Sequence, residues 1–445
     1  MTNPQRAPTA QSDSTASQKE TPSPLQSNSS GISSGIKIGI KDLLGLLSIL
    51  GIAAGLVANK ILIERFDWRI DAAVYREGAI ALVNGDSLYA QPFDMGDISL
   101  PFIYPPIGAV LFAPWGYFSF ISVELAGNLV VIVSSLLLLL CLYLVTNAVL
   151  RGRDKLLAFT IASVSWPITL FAEPVFLNAE LGQINILIMA LVVLDLLPIK
   201  RRIPRGVLIG LAAAIKITPL AMLLYFLVKK DFRGIINAVI SLLAFTAIGA
   251  ALAWENTKEF FSTTLLSLSA EGDSGVDTTF QSNSSIQAML YRWWNSKADA
   301  EASSLPTILW IVLSLIAVAA VAYLMHQLFS RGLHVEAVMV NAMLMLLISP
   351  ISWSHHWVWL PLWAVVFFIR YRQHPSHPKF LLWSGITLSI MLLMLPPKWW
   401  FGRDGLNVFE LNFWGKLLIS DWTWLSIGLM ITLGLGLKAF PKIPK

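Results

Sequence analysis

The sequence predicts an all-α polytopic membrane protein, and three observations carry that expectation. Of its 445 residues, 56% are hydrophobic and 13% charged, where a soluble domain has roughly a quarter charged. Mean hydropathy is +0.66. The apolar residues gather into runs near the length a helix needs to cross a bilayer, about 20 residues, and short basic clusters separate them. A cytosolic enzyme, a disulfide scaffold and a disordered chain are therefore excluded as descriptions of the whole. The one cysteine, Cys141, stands inside an apolar run and offers neither a disulfide nor a thiolate metal site. The net charge of +5 speaks for topology, because cytoplasmic loops collect Lys and Arg. It does not call for a nucleic-acid partner.

Taken in order, residues 1–35 are Ser, Thr, Gln, Pro and Gly without apolar period, which reads as a disordered cytoplasmic tail. The membrane domain then runs over 36–440, and 441–445 form a cytoplasmic end. The first apolar stretch, Ile40 to Ile63, follows a long polar segment and is long enough to span, so it reads as a retained span and not a cleaved signal. Basic clusters around Arg151, Arg201, Lys229, Arg331, Arg370 and Lys438 place their loops inside. The stretches 64–121, 172–183, 255–305, 351–356 and 397–421 fall on the opposite, outer face. Tyr104 to Phe120 cannot be a full span without moving Arg151 outside, so it reads as a juxtamembrane or re-entrant helix. Gly206 to Val228 has basic flanks at both ends and carries Lys216 and Pro219, which predicts a hairpin of two half-helices broken near Thr218-Pro219. The total is about twelve crossings.

The polar residues worth testing lie on the outer side. Arg69 to Val83 has helical apolar spacing and reads as an amphipathic helix in the interface, with Asp71 at its start. A carboxylate there can simply cap the first turn. It also stands just above the end of the first span. Lys216 is the most informative charge, since a mid-membrane lysine costs about 2.5–3.5 kcal/mol on insertion scales; it either snorkels to an interface or serves an anion. Of six histidines, His355 and His356 alone fall on the outer side, joined to two apolar runs with no room for a loop. Zinc would need more ligands than the flanking sequence supplies, so anion binding is the better use. Trp353, Trp357 and Trp359 read as an interfacial belt, and Trp399, Trp400, Phe401, Trp414, Trp422 and Trp424 could stack on sugar faces but read better as belt residues. Glu173, Asn178, Glu180, Gln183 and Asn185, with Gln281, Asn283, Ser284, Ser285 and Arg292, add polar groups on the same face.

Asp71-x-x-Val74-Tyr75, Asn84-Gly85-Asp86-Ser87-Leu88-Tyr89 and Leu100-Pro101-Phe102-x-Tyr104-Pro105-Pro106 with Leu111-Phe112-Ala113-Pro114 follow one another in the first outer loop. After them come Glu173-Pro174-Val175, Leu181-Gly182-Gln183-Ile184-Asn185, Lys216-Ile217-Thr218-Pro219-Leu220 and Ser349 through Trp357. This ordered set, spanning 64–370, resembles the polyprenol-phosphate-mannose-dependent alpha-1,2-mannosyltransferases, glycosyltransferase family 87 within the GT-C superfamily. The chain departs from that pattern at Asn283-Ser284-Ser285-Ile286-Gln287-Ala288, where relatives tend to show Asn-Gln-Ser-Leu-Arg-Gly, a change that bears on acceptor or headgroup preference.

The resemblance implies a GT-C-like bundle in which 36–440 is a transmembrane glycosyltransferase domain with juxtamembrane helices in the first outer loop. It implies inverting transfer of mannose from a polyprenyl-phosphate mannose donor to a glycolipid or lipoglycan hydroxyl, at the outer face of the cell membrane. Asp71 would be the general base, Lys216, His355 and His356 would bind the donor phosphate, and Tyr75, Tyr104, Glu173, Gln183, Asn185 and Asn283 would contact substrate. No cofactor or metal is implied. The leaving phosphate departs without protonation, so one carboxylate suffices where a glycosidase needs two. A polyprenyl-phosphate arabinose transferase keeps the class and changes the sugar. A lipid-linked sugar flippase would also use an embedded lysine and histidines, but it needs polar residues through both halves of a path and here they cluster at one face.

Overall fold

A computed structural model describes residues 39–96, 98–198, 200–265, 277–403 and 405–443. The polar tail 1–35, Asp97 and the last two residues of the cytoplasmic end lie outside these. The unit from Ile40 onward is built of helices, with a two-residue antiparallel pair, Phe93–Asp94 with Ser99–Leu100, as its one small sheet among the described residues. The order is α1 (Ile40–Arg65), α2 (Ile70–Asn84), α3 (Pro106–Tyr117), α4 (Val123–Val149), α5 (Lys155–Leu170), α6 (Glu173–Leu181), α7 (Asn185–Leu196), α8 (Val207–Ile215), α9 (Leu223–Lys229) and α10 (Phe232–Leu252). After a stretch of short helical turns follow α11 (Leu305–Phe329), α12 (His334–Ile348), α13 (Leu360–Gln373), α14 (Lys379–Leu393) and α15 (Asp421–Gly436).

Among the described residues six segments are long and apolar enough to cross a membrane: α1, α4, α10, α11, Lys379–Trp399 and Asp421–Ala439. A seventh arises if α5 and α6, bent by 66° at Phe171-Ala172, are one span. Helix starts follow ordinary capping chemistry. Ser122, Asp154 and Asp231 each accept from the backbone N–H three residues on, satisfying one orphan donor of α4, α5 and α10. Helix α12 is buried on every face from Val335 to Leu347, Glu336 and Asn341 being the polar residues in that stretch, so it runs through the main core, to which Trp357, Trp359 and Trp363 also belong. A second core of Val74, Tyr75, Phe102, Tyr104, Phe112 and Ile215 joins α2, α3 and α8.

The segment with basic flanks is a hairpin. Helix α8 ends where Lys216 turns extended, Thr218–Met222 form a single 3-10 turn, and α9 returns. The break falls at Lys216 and Ile217, just ahead of Thr218-Pro219. The base is closed by Arg205 3.6 Å from Asp231, and by the Asp195 carboxylate, which accepts from Gly206, Leu208 and Ile209 at 2.8–3.0 Å. Three backbone donors on one carboxylate are the anion site that a helix N-terminus provides.

Two expectations change. Helix α2 forms as expected, but Ala72 to Tyr75, Gly78, Ala79 and Ala81 are buried, because α3 and α4 pack against it. Protein, not an amphipathic fit to lipid, sets its orientation. Trp357 and Trp359 are 0% and 2% exposed, so they pack in the core instead of forming a belt. Trp400, Trp414 and Trp424 are exposed, as belt residues are, whereas Trp399 and Trp422 are buried.

Candidate active site

A cavity of about 500 Å³ opens between α2, the loop before α3, the tip of the α8–α9 hairpin and the turn after α12. Its wall holds Asp71, Tyr75, Tyr104, Gln183, Lys216, His355 and His356, seven of the ten residues that sequence reasoning selected. Asn185 stands directly behind them. These groups come from five stretches of chain, and the remaining wall is mostly apolar, with Leu100, Pro101, Ile103, Phe260, Ile351 and Trp353 among it.

Asp71 reaches this position through Arg69. That guanidinium is 1% exposed and donates to the Leu62 and Ile63 carbonyls at the end of α1, to the Ala179 carbonyl of α6 and to Asn128 Oδ1 of α4, at 2.9–3.2 Å. It thus ties three helices to the residue just before α2. No side chain caps that helix start, which leaves the Asp71 carboxylate available to the cavity. Gly182 completes the approach. It ends α6 in the left-handed region at φ +72°, and a Cβ there would lie 2.8 Å from that of Ala72. Only a glycine lets the next residue, Gln183, come alongside Asp71.

The polarity of Gln183 follows from its neighbours. Tyr75 Oη and Tyr104 Oη donate to its Oε1 at 3.0 and 3.2 Å, so its amide nitrogen is the end that serves the Asp71 carboxylate. Burial pushes the Asp71 carboxyl up to about 6, while the Gln183 hydrogen bond and the Lys216 charge oppose the rise. A base poised there is ionised at neutral pH and still basic enough to take a proton. Lys216 Nζ donates to Asn185 Oδ1 at 3.0 Å and meets His356 Nε2 at 3.2 Å, with the Tyr104 ring 5.5 Å away. The arrangement sets a carboxylate on one wall and an ammonium with two imidazoles on the other.

Glu173 and Asn283 are not among the cavity's lining residues. Glu173 accepts from Ser354 Oγ at 2.6 and 2.7 Å and from Trp399 Nε1 at 2.7 Å. Asn283 bridges the Pro350 carbonyl and the Ser352 amide at 2.9 Å, holding the long loop to the turn that carries the histidines. Arg292 donates to the Thr279, Phe280 and Asn283 carbonyls, so it too braces that loop.

Sequence reasoning missed Arg69 and Lys398. Lys398, 0% exposed, pairs with Asp421 at 2.9 Å and donates to Ser284 Oγ and Ser354 Oγ at 3.0 and 3.1 Å. One signal was present: a lysine in a loop read as outer runs against the usual charge bias, which asks for a reason. Among the described residues no group of three His, Cys, Asp or Glu stands together as a metal site.

The profile of glycosyltransferase family 87 matches residues 102–350. A Mycobacterium tuberculosis protein, named polyprenol-phosphate-mannose-dependent alpha-(1-2)-phosphatidylinositol mannoside mannosyltransferase, is 31% identical over 427 residues, covering 91% of this chain and 93% of its own length. Its namesake from Mycolicibacterium smegmatis is 30% identical over 413 residues, 88% of this chain and 89% of that one. A Mycobacterium tuberculosis pentamannoside mannosyltransferase of the same donor dependence is 28% identical over 349 residues, 75% of each. No solved structure matches significantly. With the family profile covering more than half of the chain and full-length relatives alongside it, this chain belongs to glycosyltransferase family 87.

Proposed function

We propose that the protein transfers mannose from polyprenyl-phosphate mannose to a hydroxyl of a phosphatidylinositol mannoside or related lipoglycan, at the outer face of the cell membrane and with inversion at the anomeric carbon. The observation that carries this reading is the convergence, in one cavity, of a carboxylate poised near 6 with a lysine and two histidines. Donor and acceptor classes come from the names of the relatives. In the step itself the acceptor oxygen attacks the anomeric carbon, its proton passes to Asp71, and the bond from that carbon to the phosphate oxygen breaks. The electron pair leaves with polyprenyl phosphate. Charge grows on that phosphate, so donors fixed in a partly desolvated pocket stabilise the transition state more than the ground state. Lys216 and the His355–His356 pair form this side of the site. Tyr75, Tyr104 and Gln183 shape the sugar side, and Asn185 stands behind the lysine. Glu173 and Asn283 support it from behind.

The membrane arrangement belongs to the same reading. The shorter apolar helices α7, α12 and Thr218–Lys229 complete, with α13 and the bent pair, a GT-C-like bundle of about twelve, with α2 and α3 juxtamembrane. The domain covers 36–440. The partners are the two lipids and the bilayer.

Purified protein given polyprenyl-phosphate mannose and a phosphatidylinositol mannoside should yield an acceptor heavier by one mannose, linked through O2, by mass spectrometry. Donor crossing proteoliposome walls with no mannosylated product would sink the reading in favour of a flippase. Orientation is tested separately with a cysteine at Ala302 in a Cys141→Ser background. Impermeant reagent should label it in intact cells, and protection until lysis would place the site inside.

A further inference from the structure

The lysine and the two imidazoles of the cavity differ in what their hydrogen bonds leave free. An ammonium only donates. Lys216 Nζ faces Asn185 Oδ1 at 3.0 Å and His356 Nε2 at 3.2 Å. The Asn185 amide has no choice of orientation, because its nitrogen faces Asn178 Oδ1, Gln183 Oε1 and the His355 carbonyl at 3.3–3.5 Å. Its oxygen is therefore the atom given to the lysine. His356 Nε2, facing an ammonium, must accept, which puts the ring proton on the other nitrogen. The ring's second hydrogen bond runs to the Ile351 carbonyl, which also can only accept. Both nitrogens of His356 are thus committed to protein, and its tautomer follows from its partners.

His355 is in the opposite condition. Its ring stands edge-on to that of His356, centroids 4.8 Å apart and planes at 89°. It is 6% exposed, lines the cavity, and its Nε2 is buried without a hydrogen-bond partner. An orphaned buried imidazole nitrogen is a standing cost that a ligand oxygen removes. The turn that holds it is rigid, since its neighbour Ser354 has its hydroxyl fully used by Glu173, Lys398 and Trp422.

Resting on the donor-phosphate reading above, we propose that the two histidines have separate tasks. His355 meets the lipid phosphate directly through Nε2. His356 is a positioning residue that acts through Lys216, holding the ammonium with Asn185 so that its remaining N–H is directed at the same phosphate.

Both substrates carry a phosphodiester, so the test titrates polyprenyl-phosphate mannose and phosphatidylinositol mannoside separately onto purified protein in nanodiscs. Lys216→Ala, His355→Ala, His356→Ala and the two doubles with Lys216→Ala form two cycles. In the donor arm His356→Ala should weaken binding about tenfold alone, the size of one charge-assisted hydrogen bond, and by less than about twofold once Lys216 is gone. His355→Ala should cost about tenfold in both backgrounds. Gln in place of His356 keeps an acceptor facing the lysine, so His356→Gln should stay within about threefold of wild type. That variant also decides the matter if His356→Ala does not fold. Full additivity of His356 with Lys216, no cost from His355→Ala, His356→Gln as weak as His356→Ala, or the pattern confined to the acceptor arm would each overturn the assignment. Wild-type protein that bound neither lipid would instead refute the transferase reading itself.

Discussion

The turn Ser354–His356 has two sides, and polar residues behave differently on each. On one side Glu173, Ser354, Lys398, Asp421, Trp399 and Trp422 form a closed set. Lys398 pairs with Asp421, Glu173 accepts from Ser354 and Trp399, and the Ser354 hydroxyl donates to Glu173 while accepting from Lys398 and Trp422. On the other side Asp71, Lys216 and His355 border an open cavity with capacity to spare. Buried charge that is fully answered by protein holds a fold together, and buried charge left partly unanswered awaits a ligand. By that criterion Glu173 and Asp71, two carboxylates read as lying on the same face, have different roles.

Substitution at Asp71 breaks the comparison most sharply. Asp71→Asn keeps shape and removes basicity, so turnover should fall about 10²–10⁴-fold. Stability should move the other way. A carboxyl whose folded value is raised penalises the fold once it ionises, so the penalty is absent below the unfolded value of 3.8 and fully present above about 6. At pH 7.5 the variant should therefore melt no lower than wild type. Near-normal turnover in an assay with both lipid substrates would remove Asp71 from the mechanism.

Lys398→Ala is the mirror case. It strands Asp421 in the interior, and breaking one half of a buried pair costs about 3–5 kcal/mol. The expected outcome is a clear drop in melting temperature and folded yield, with turnover per folded molecule falling far less than in Asp71→Asn. An unchanged melt would show that the closed set does not brace the turn.

The smallest effect sharpens the open side. Gln183→Leu removes a donor that holds Asp71 ionised, worth about 0.5–1.5 kcal/mol for one hydrogen bond. The acid limb of the rate profile should move to higher pH, by at most about one unit. A shift to lower pH, or none, would contradict the amide orientation assigned to Gln183.

The open side was the more legible in the sequence. Asp71, Lys216 and the histidine pair are ionisable residues next to apolar runs, where charge is rare enough to need a reason. The closed side was not, because its members lie at Glu173, Ser284, Ser354, Lys398 and Asp421, and one sequence shows each without its partner. The same holds for Arg69, which looks like one more charge in a polar loop until α1, α4 and α6 supply its acceptors. The hairpin was legible from its basic flanks, while the covering of α2 depended on tertiary packing that periodicity does not record.

Lys398 also imposes an order of assembly. A ribosome delivers Glu173 first, Ser284 and Ser354 much later, and Lys398 with Asp421 close to the end of the chain. Until that last segment arrives, the serine hydroxyls and the Glu173 carboxylate wait without their cation, and the histidine turn lacks the clasp that steadies it. A nascent chain in the translocon therefore holds the histidine turn without its clasp until Lys398 and Asp421 have been made.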